Sequence, residues 1–525
     1  MLYKIKLRRL KAMQYDTEKI TLGVCKTGFE GCEEQSIDLD FNLPDYCPDI
    51  QKILKCHIYP KVTMENIVGE TLTVDGFYLV KLVYLDPDKM SIRCCEHTSP
   101  FSVQFNLKEN MEGAIVFAKS KVEYMNCRAI NQRRLDIHGA FSICVKVKKR
   151  EERNIIAEII GENIEQKKDT ALVDDLLALS QIQFSVEENI KLDENDLPIE
   201  LILRSDINVT VNDCKTLTNK VIVNATARLT LFYVNNLETG STAVLYYDIP
   251  ISQILDINGV EERAFCNIKL EEVNHDLQLK LDGDTNNNFL KVDARFIFSG
   301  LIYEKKEIEY LEDAYSIDFE TQKELEENDI QVVQNSVNLD YIDTQEVELR
   351  VLKIDRVLDI CNEFVEVDAK QSEGGGISLN GKYNLCILAT EEDGDPIYLE
   401  KVYSFNYLLN PKEKNGEVYS DLVPTVTSIE YQIKNDNTLE VETKLNFKGP
   451  IYKKITLKSL KELTVDEDIP IIKDNDAALK IYYAEKNESL WDIARRYNAL
   501  VKDIKLENEI EEDVLGESRM LLIPI

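Results

Sequence analysis

Three stretches of the chain alternate apolar and polar residues strictly enough to predict half-buried strands. They are Val74, Tyr78, Val80, Leu82 and Tyr84; Val221, Val223, Ala225, Ala227, Leu229, Leu231 and Tyr233; and Leu379, Tyr383, Leu385 and Ile387. Each runs into a polar turn, Asp86-Pro87-Asp88, Asn235-Asn236 or Asp393-Gly394-Asp395-Pro396, and then into a return strand, which predicts a hairpin. Further along, each segment carries a second alternating strand: Leu135, Ile137, Phe141, Ile143 and Val145; Leu290, Val292, Ala294, Phe296 and Phe298; Leu439, Val441, Leu445 and Phe447. A period of two gives one buried and one wet face, the habit of antiparallel sheets and sandwiches.

Ahead of each hairpin lies a further related stretch. Leu43-Pro44 with Pro48-Asp49-Ile50-Gln51-Lys52-Ile53-Leu54 corresponds to Leu197-Pro198-Ile199-Glu200-Leu201-Ile202-Leu203, and more loosely to Val351-Leu352-Lys353-Ile354. The chain is therefore expected to be mainly β, with three tandem antiparallel, sandwich-like repeats. The expected division is a flexible extension over 1–20, repeats over 21–178, 179–328 and a diverged 329–470, and a small module over 471–525. Charged, partly helical connections are expected near Arg150 to Leu179 and Tyr310 to Asn328, and a short link over Asp466 to Leu479.

The last segment follows another period. Leu490, Ile493, Ala494 and Tyr497 fall at i, i+3, i+4 and i+7, one apolar stripe on a helix. Ser489 ahead of it, with Asp492 three residues on, predicts a capping box, and Asn498 suits a left-handed helix end. A second short helix is expected with Leu500, Val501 and Ile504 inward, and strands Lys480 to Ala484 and Met520 to Ile523 flank the pair. Trp491, the chain's single tryptophan, sits one residue off the stripe and is expected to be half exposed. It reads equally as packing against a flanking strand and as an aromatic anchor for a partner.

This βααβ segment resembles a LysM module. The positions that carry the likeness are Tyr482, Asn487-Glu488-Ser489-Leu490, Ile493-Ala494, Asn508, Gly516-Glu517 and Leu522-Ile523-Pro524. The family's usual turn glycine is Asn487 here, its glutamine is Glu517, and an acidic run of Glu507, Glu509, Glu511, Glu512 and Asp513 borders the groove. In that family the groove between the first turn and the last loop binds N-acetylglucosamine chains, and these departures turn it toward a protein surface.

The repeats resemble the SPOCS domain of clostridial spore coat proteins, chiefly through the Leu43 to Leu54 stretch. Tandem SPOCS-like repeats ending in one LysM-like module resemble the coat morphogenetic proteins of the SpoIVA-interacting type. The resemblance implies a protein of the mother-cell cytosol at the forespore surface. It would bind the SpoIVA-type ATPase that polymerises as the coat's basement layer, and promote encasement of the forespore. The residues expected to meet this partner are Asn487, Glu488, Ser489, Leu490, Trp491, Asn508, Glu509 and Ile510.

Composition narrows the choice. The 525 residues carry 95 Asp and Glu against 62 Lys and Arg, a formal charge of −33, which argues against duplex nucleic acid and anionic membranes as partners. A basic or polar protein is easier to accommodate, and contacts with other coat proteins or with further copies are also open. No apolar run approaches a membrane span and no signal-peptide core is visible; the basic opening Met1 to Met13 reads as a flexible extension.

The 12 cysteines, eight of them before residue 145, read as intracellular thiols rather than a disulfide framework. Cys47, Cys56, His57, Cys94, Cys95 and His97 have ligand chemistry for zinc but not its spacing, and adjacent Cys94 and Cys95 on a strand would face opposite ways. Asp282-Gly283-Asp284-Thr285-Asn286-Asn287-Asn288 alternates oxygen ligands as a calcium loop does but lacks the sixth-position glycine and the distal glutamate, so it reads as a polar hairpin loop. No metal or other cofactor is expected.

No nucleotide-binding, metalloprotease or hydrolase motif appears, and four histidines leave little acid–base material, so the chain is expected not to be an enzyme. A peptidoglycan-binding wall protein and an autolysin-like enzyme are the alternatives. Both need export.

Overall fold

Strands with one apolar face need a second sheet to cover it, and the chain supplies one three times in the same strand order. The computed structural model describes residues 12–87, 91–192, 197–281, 288–351, 353–372, 376–409, 418–472 and 479–524. In the first unit β1 (Ala12–Gln14) precedes β2 (Asp16–Asn42), β3 (Lys52–Val68), β4 (Thr71–Leu85), β5 (Ile92–Asn106), β6 (Ile115–Ala129) and β7 (Arg134–Ile160). The meander β3-β4-β5 forms one sheet and β2-β7-β6 the other.

The second unit repeats this with β8 (Ile164–Lys191), β9 (Leu201–Leu217), β10 (Lys220–Asn236), β11 (Ser241–Asp256), β12 (Phe265–Leu281) and β13 (Asn288–Ser316), paired as β9-β10-β11 and β8-β13-β12. In the third, β14 (Phe319–Glu348) leads, and β15 (Ile354–Cys361) and β16 (Val365–Gln371) together take the place of one strand beside β17 (Ile377–Glu391) and β18 (Pro396–Leu409). There β19 (Val418–Ser420) and β20 (Val423–Asn435) pair with β21 (Thr438–Pro470), which also pairs with β14. The structure is thus mainly β, three antiparallel sandwiches in tandem, as the alternation predicts.

The predicted alternating faces are the cores. Leu135, Ile137, Phe141 and Ile143 meet Val74, Val80, Leu82 and Tyr84; Leu290, Val292, Phe296 and Phe298 meet Val221, Val223, Leu229 and Leu231; Leu439, Val441, Leu445 and Phe447 meet Leu379, Tyr383, Leu385 and Ile387. The Leu43 to Leu54 stretch closes the end of the first sandwich. Its Leu43, Cys47 and Ile50 are buried there, while Arg133 binds the carbonyls of Pro44 (2.9 Å) and Cys47 (3.0 Å) and the carboxylate of Asp49 (2.8 Å). Tyr84 donates to Pro48 O, and Tyr233 to Leu197 O in the second unit, so the two stretches are held the same way.

Two expectations are corrected. The charged connections are not helical: Arg150 to Leu179 lies on β7 and β8, and Tyr310 to Asn328 on β13 and β14. The first and last strands of each unit outrun their sandwich and form three two-stranded ribbons. These ribbons pack together through Leu22, Ile155, Val173, Ile308, Tyr310, Ile330 and Leu457, with a second cluster around Ile156, Leu311 and Leu460. Neighbours such as Ile155 and Ile156 enter different clusters, so both faces of a ribbon are covered, and clean alternation, the signature of a half-wet strand, is lost. That is why the pattern read as something other than strand. Secondly, residues 12–20 are not an extension, because β1 pairs with Thr464, Val465 and Asp466 of β21 and β2 already pairs with β7 from Asp16.

The three meander sheets also converge, through Leu54, Leu203 and Leu388 with Leu358 and Tyr398. The next residues, Lys55, Arg204 and Asp359, line a small cavity at this junction together with His57, Cys361 and Cys386. Arg204 grips Asp359 through two nitrogens at 2.9 and 3.0 Å, tying the second unit to the third. Among the described residues no helix is long and apolar enough to cross a membrane.

Candidate functional site: the C-terminal module and its seat

β22 (Leu479–Ala484) and β23 (Arg519–Pro524) pair antiparallel, and α1 (Leu490–Tyr497) and α2 (Val501–Asn508) lie between them in sequence. The predicted stripe is the module's core, with Leu490, Ile493, Ala494, Ile504 and Ile523 fully enclosed. Asn498 ends α1 at φ 50°, as its side chain suits. The capping box does not form. Ser489 makes no side-chain capping bond; its backbone is bridged to Val514, the Leu490 N–H is satisfied by Asp513 O at 2.9 Å, and Asp492 pairs with Arg495.

The walls of the predicted groove are hydrogen-bonded to each other. Asn487, at φ 68°, donates its N–H to Leu515 O (2.9 Å), and Leu515 N–H returns to Glu488 O (3.0 Å). Glu488 accepts from Tyr482 Oη (2.6 Å) and from Glu485 N–H (3.1 Å), and the Tyr482 bond, partly opposed by burial, holds its carboxyl below the usual range. Asn508 is a strut: its amide nitrogen donates to Ile504 O (2.8 Å) and Leu522 O (2.6 Å), and its oxygen accepts Leu522 N–H (2.7 Å). Of the eight expected contact residues, Asn487 and Glu509 are exposed, Glu488, Ser489 and Asn508 are half-buried, and Leu490, Trp491 and Ile510 are buried.

The burial of Trp491 corrects the half-exposed expectation, and its partner lies outside the module. The ring stands edge-on to Tyr315 of β13 at 5.0 Å, and Nε1 donates to Asp313 Oδ2 at 3.0 Å. Asp313 also accepts from Arg495 (2.6 Å) and Lys323 (2.5 Å), and Tyr315 Oη donates to Ala499 O (2.7 Å). Glu165 of β8 accepts the Val501 N–H at the start of α2, where an anion also meets the positive helix end. The module is therefore seated on the tip of the middle ribbon. Sequence reasoning missed Asp313, Tyr315, Lys323 and Glu165; the available signal was a tryptophan beside, rather than on, an apolar stripe, which asks for a second partner.

Two SPOCS matches and one LysM match decide the family reading: residues 49–130 and 198–280 match the SipL, SPOCS domain, and residues 482–524 match the LysM domain. The chain carries SPOCS domains of the SipL type and a C-terminal LysM domain. No curated protein and no solved structure gives a match. Both SPOCS matches cover the four strands that lie in sequence between the two long ones of a unit, β3 to β6 and β9 to β12, and leave out the long strands that build the ribbons. The combination makes this a sporulation protein associated with the coat, built from domain families that are not catalytic.

The other candidate chemistry disperses. Cys95 enters the first core while Cys94 faces the inter-unit junction, the opposite facing expected of strand neighbours. His57 pairs with Glu363, and His97 with Ser99. The calcium-like loop falls outside the described residues except for Asn288. Among the described residues two groups bring three potential ligand atoms together, Asp38 with Asp136 and His138, and Glu363 with Cys386 and Glu400; in the second, Lys55 already supplies the cation. One thiol expectation is corrected: Cys32 and Cys144, opposite each other on β2 and β7, form a disulfide.

Proposed function

We propose that this protein is a non-catalytic assembly factor of the spore coat, acting in the mother-cell cytosol at the forespore surface. Its LysM domain captures the SpoIVA-type ATPase of the basement layer, and the β units, divided at the turns 161–163 and 317–318 rather than near residues 178 and 328, hold that contact in place so that the layer encases the forespore. The observation that carries this reading is the module's rigid seat combined with its remaining apolar exposure. Ile481 (60%), Tyr483 (77%), Leu506 (69%), Val514 (51%) and Met520 (49%) stay exposed on a domain of fewer than fifty residues. Such a concentration of exposed apolar side chains marks a protein interface rather than a sugar groove. Asn487, Glu488, Ser489, Asn508 and Glu509 form its polar rim, and Leu490, Trp491 and Ile510 support it from beneath.

The test is co-purification. Full-length protein should capture the ATPase and should not sediment with peptidoglycan, and removing residues 481–525 should abolish capture. Val514→Glu or Tyr483→Glu should weaken capture while leaving tryptophan emission unchanged. Retention on peptidoglycan without ATPase capture would overturn the proposal.

A further inference from the structure

Ten of the 12 cysteines stand in five pairs: Cys32 with Cys144, Cys47 with Cys95, Cys56 with Cys127, Cys214 with Cys266, and Cys361 with Cys386. The first pair is already a disulfide, and Cys361 stands opposite Cys386 across neighbouring strands just as Cys32 does opposite Cys144. Two other pairs share a different geometry. Cys56 is on β3 and Cys127 on β6, while Cys214 is on β9 and Cys266 on β12. These are the edge strands of the two facing sheets in the first and second units, so each pair spans the same open side of its sandwich. All four sulfurs belong to half-buried residues, whereas Cys47, Cys95 and Cys386 are buried.

We infer that Cys56–Cys127 and Cys214–Cys266 are paired modification sites, dithiols that oxidise in place to disulfides stapling the two sheets of each SPOCS unit along that edge. The oxidant is a low-molecular-weight disulfide. In the first unit the thiolate of one cysteine attacks it, one sulfur of the oxidant leaves as a thiolate, and a mixed disulfide forms. The thiolate of the other, its proton passed to solvent, then displaces the second sulfur. Two protein thiols have lost two electrons and two protons, and the small disulfide has become two thiols. Cys214 and Cys266 react in the same way in the second unit.

Within each pair the two thiols stand close enough to shift each other's acidity, one down and the other up, so a thiolate of the pair is available to begin exchange. Because β3 and β6, and β9 and β12, belong to different sheets and share no ladder, these staples cross-link strands that are otherwise joined only by side-chain contacts such as Ser120 with Pro60 O and His275 with Ser205. They close long chain loops, the case in which a cross-link most restricts the unfolded chain.

The experiment uses the full chain, unmodified, in buffers of oxidised and reduced glutathione, quenched by alkylation and mapped by mass spectrometry of non-reduced peptides. The expected result is two linked peptide pairs, Cys56 with Cys127 and Cys214 with Cys266, four thiols lost, and Cys25 and Cys94 still alkylated. Cys127→Ser should leave Cys56 alkylated and the second pair unaffected. The oxidised protein should unfold at higher denaturant than a Cys56→Ala, Cys127→Ala double variant treated identically, and dithiothreitol should remove the difference. The inference is overturned if the four cysteines stay alkylated where Cys32–Cys144 is fully oxidised. It is equally overturned if they appear only as glutathione adducts or as links between copies.

Discussion

Trp491 and Asp313 are 178 positions apart, and the indole N–H of one meets the carboxylate of the other at 3.0 Å. That bond sits inside a shared site, because Arg495 from the LysM domain and Lys323 from β14 hold the same carboxylate. Asp313→Ala removes an acceptor shared by four donors, the side chains of Trp491, Arg495 and Lys323 and the Ala314 N–H. Hydrogen bonds to a charged group contribute about 1.5–3 kcal/mol each, so seating should weaken by at least that much. Trp491 is the single tryptophan, which makes emission a direct reading of the seat. The expected result is a red shift and greater acrylamide quenching, with the far-ultraviolet β signal of the repeats unchanged.

The same carboxylate predicts an acid limit to seating. Burial pushes the Asp313 carboxyl up, but hydrogen bonds from Lys323 and Trp491, with the charges of Lys323 and Arg495, hold it below its ordinary 3.8. A folded pKa below the unfolded one gives stability that is whole above the unfolded value and is lost as pH falls through the folded one. Tryptophan emission should therefore be flat from neutrality down to about pH 4.5 and shift red only below about pH 4. In Asp313→Asn that acid step should vanish; a wild-type step near pH 6 would exclude Asp313 as its cause.

What the residue pattern revealed and what it concealed divide along burial. The sandwich cores were legible because their strands have one wet face: Leu135 to Val145 and Val221 to Tyr233 alternate just as half-buried strands must. The ribbons were not, because Ile155 and Ile156, or Tyr310 and Leu311, are covered on both sides by segments remote in sequence. The stripe of α1 was legible for the same reason as the sandwiches, but the seat of Trp491 depends on Asp313 and Tyr315, whose proximity only the tertiary fold creates. The capping box did not form, and Asp492 pairs instead with Arg495, a competitor one turn on.

Close ribbon contact makes Gly23 irreplaceable. A Cβ there would stand 2.1 Å from Leu176 O and 2.8 Å from Arg150 Nε, while the Gly23 N–H donates to Asp175 Oδ1 at 2.7 Å. The obstacle is backbone of β8, which a rotamer change does not relieve. Gly23→Ala should cost about 1–3 kcal/mol through forced separation of the first two ribbons. The check is the midpoint of denaturant unfolding, with Gly69→Ala as a contrast: nothing lies within 4 Å of its Cβ, so that variant's cost should come from its φ of +61° alone.

The junction of the three units should make them separate as pH falls below the ordinary histidine range. His57 Nε2 lies 3.1 Å from Glu363 Oε2, and Glu363 also takes a bond from Tyr59 (2.9 Å) and a close ion pair from Lys55. Burial lowers the His57 pKa from 6.5; Glu363 and the more distant Glu400 oppose this and Lys55 adds to it, with a net lowering. The unfolded chain then takes up its proton first, so it binds more protons than the folded one between 6.5 and the folded value, and stability falls as pH drops through that window. His57→Gln should flatten the loss that sets in below about pH 6.5 in urea unfolding followed by circular dichroism. Glu363 behaves differently: burial raises its pKa, but His57 and Lys55 more than compensate, so it stays ionised well below neutrality. Removing it strands Lys55 as a buried cation, and Glu363→Ala should cost about 3–5 kcal/mol at pH 7.5. A loss of stability at pH 6 that persists undiminished in His57→Gln would place the titrating group elsewhere.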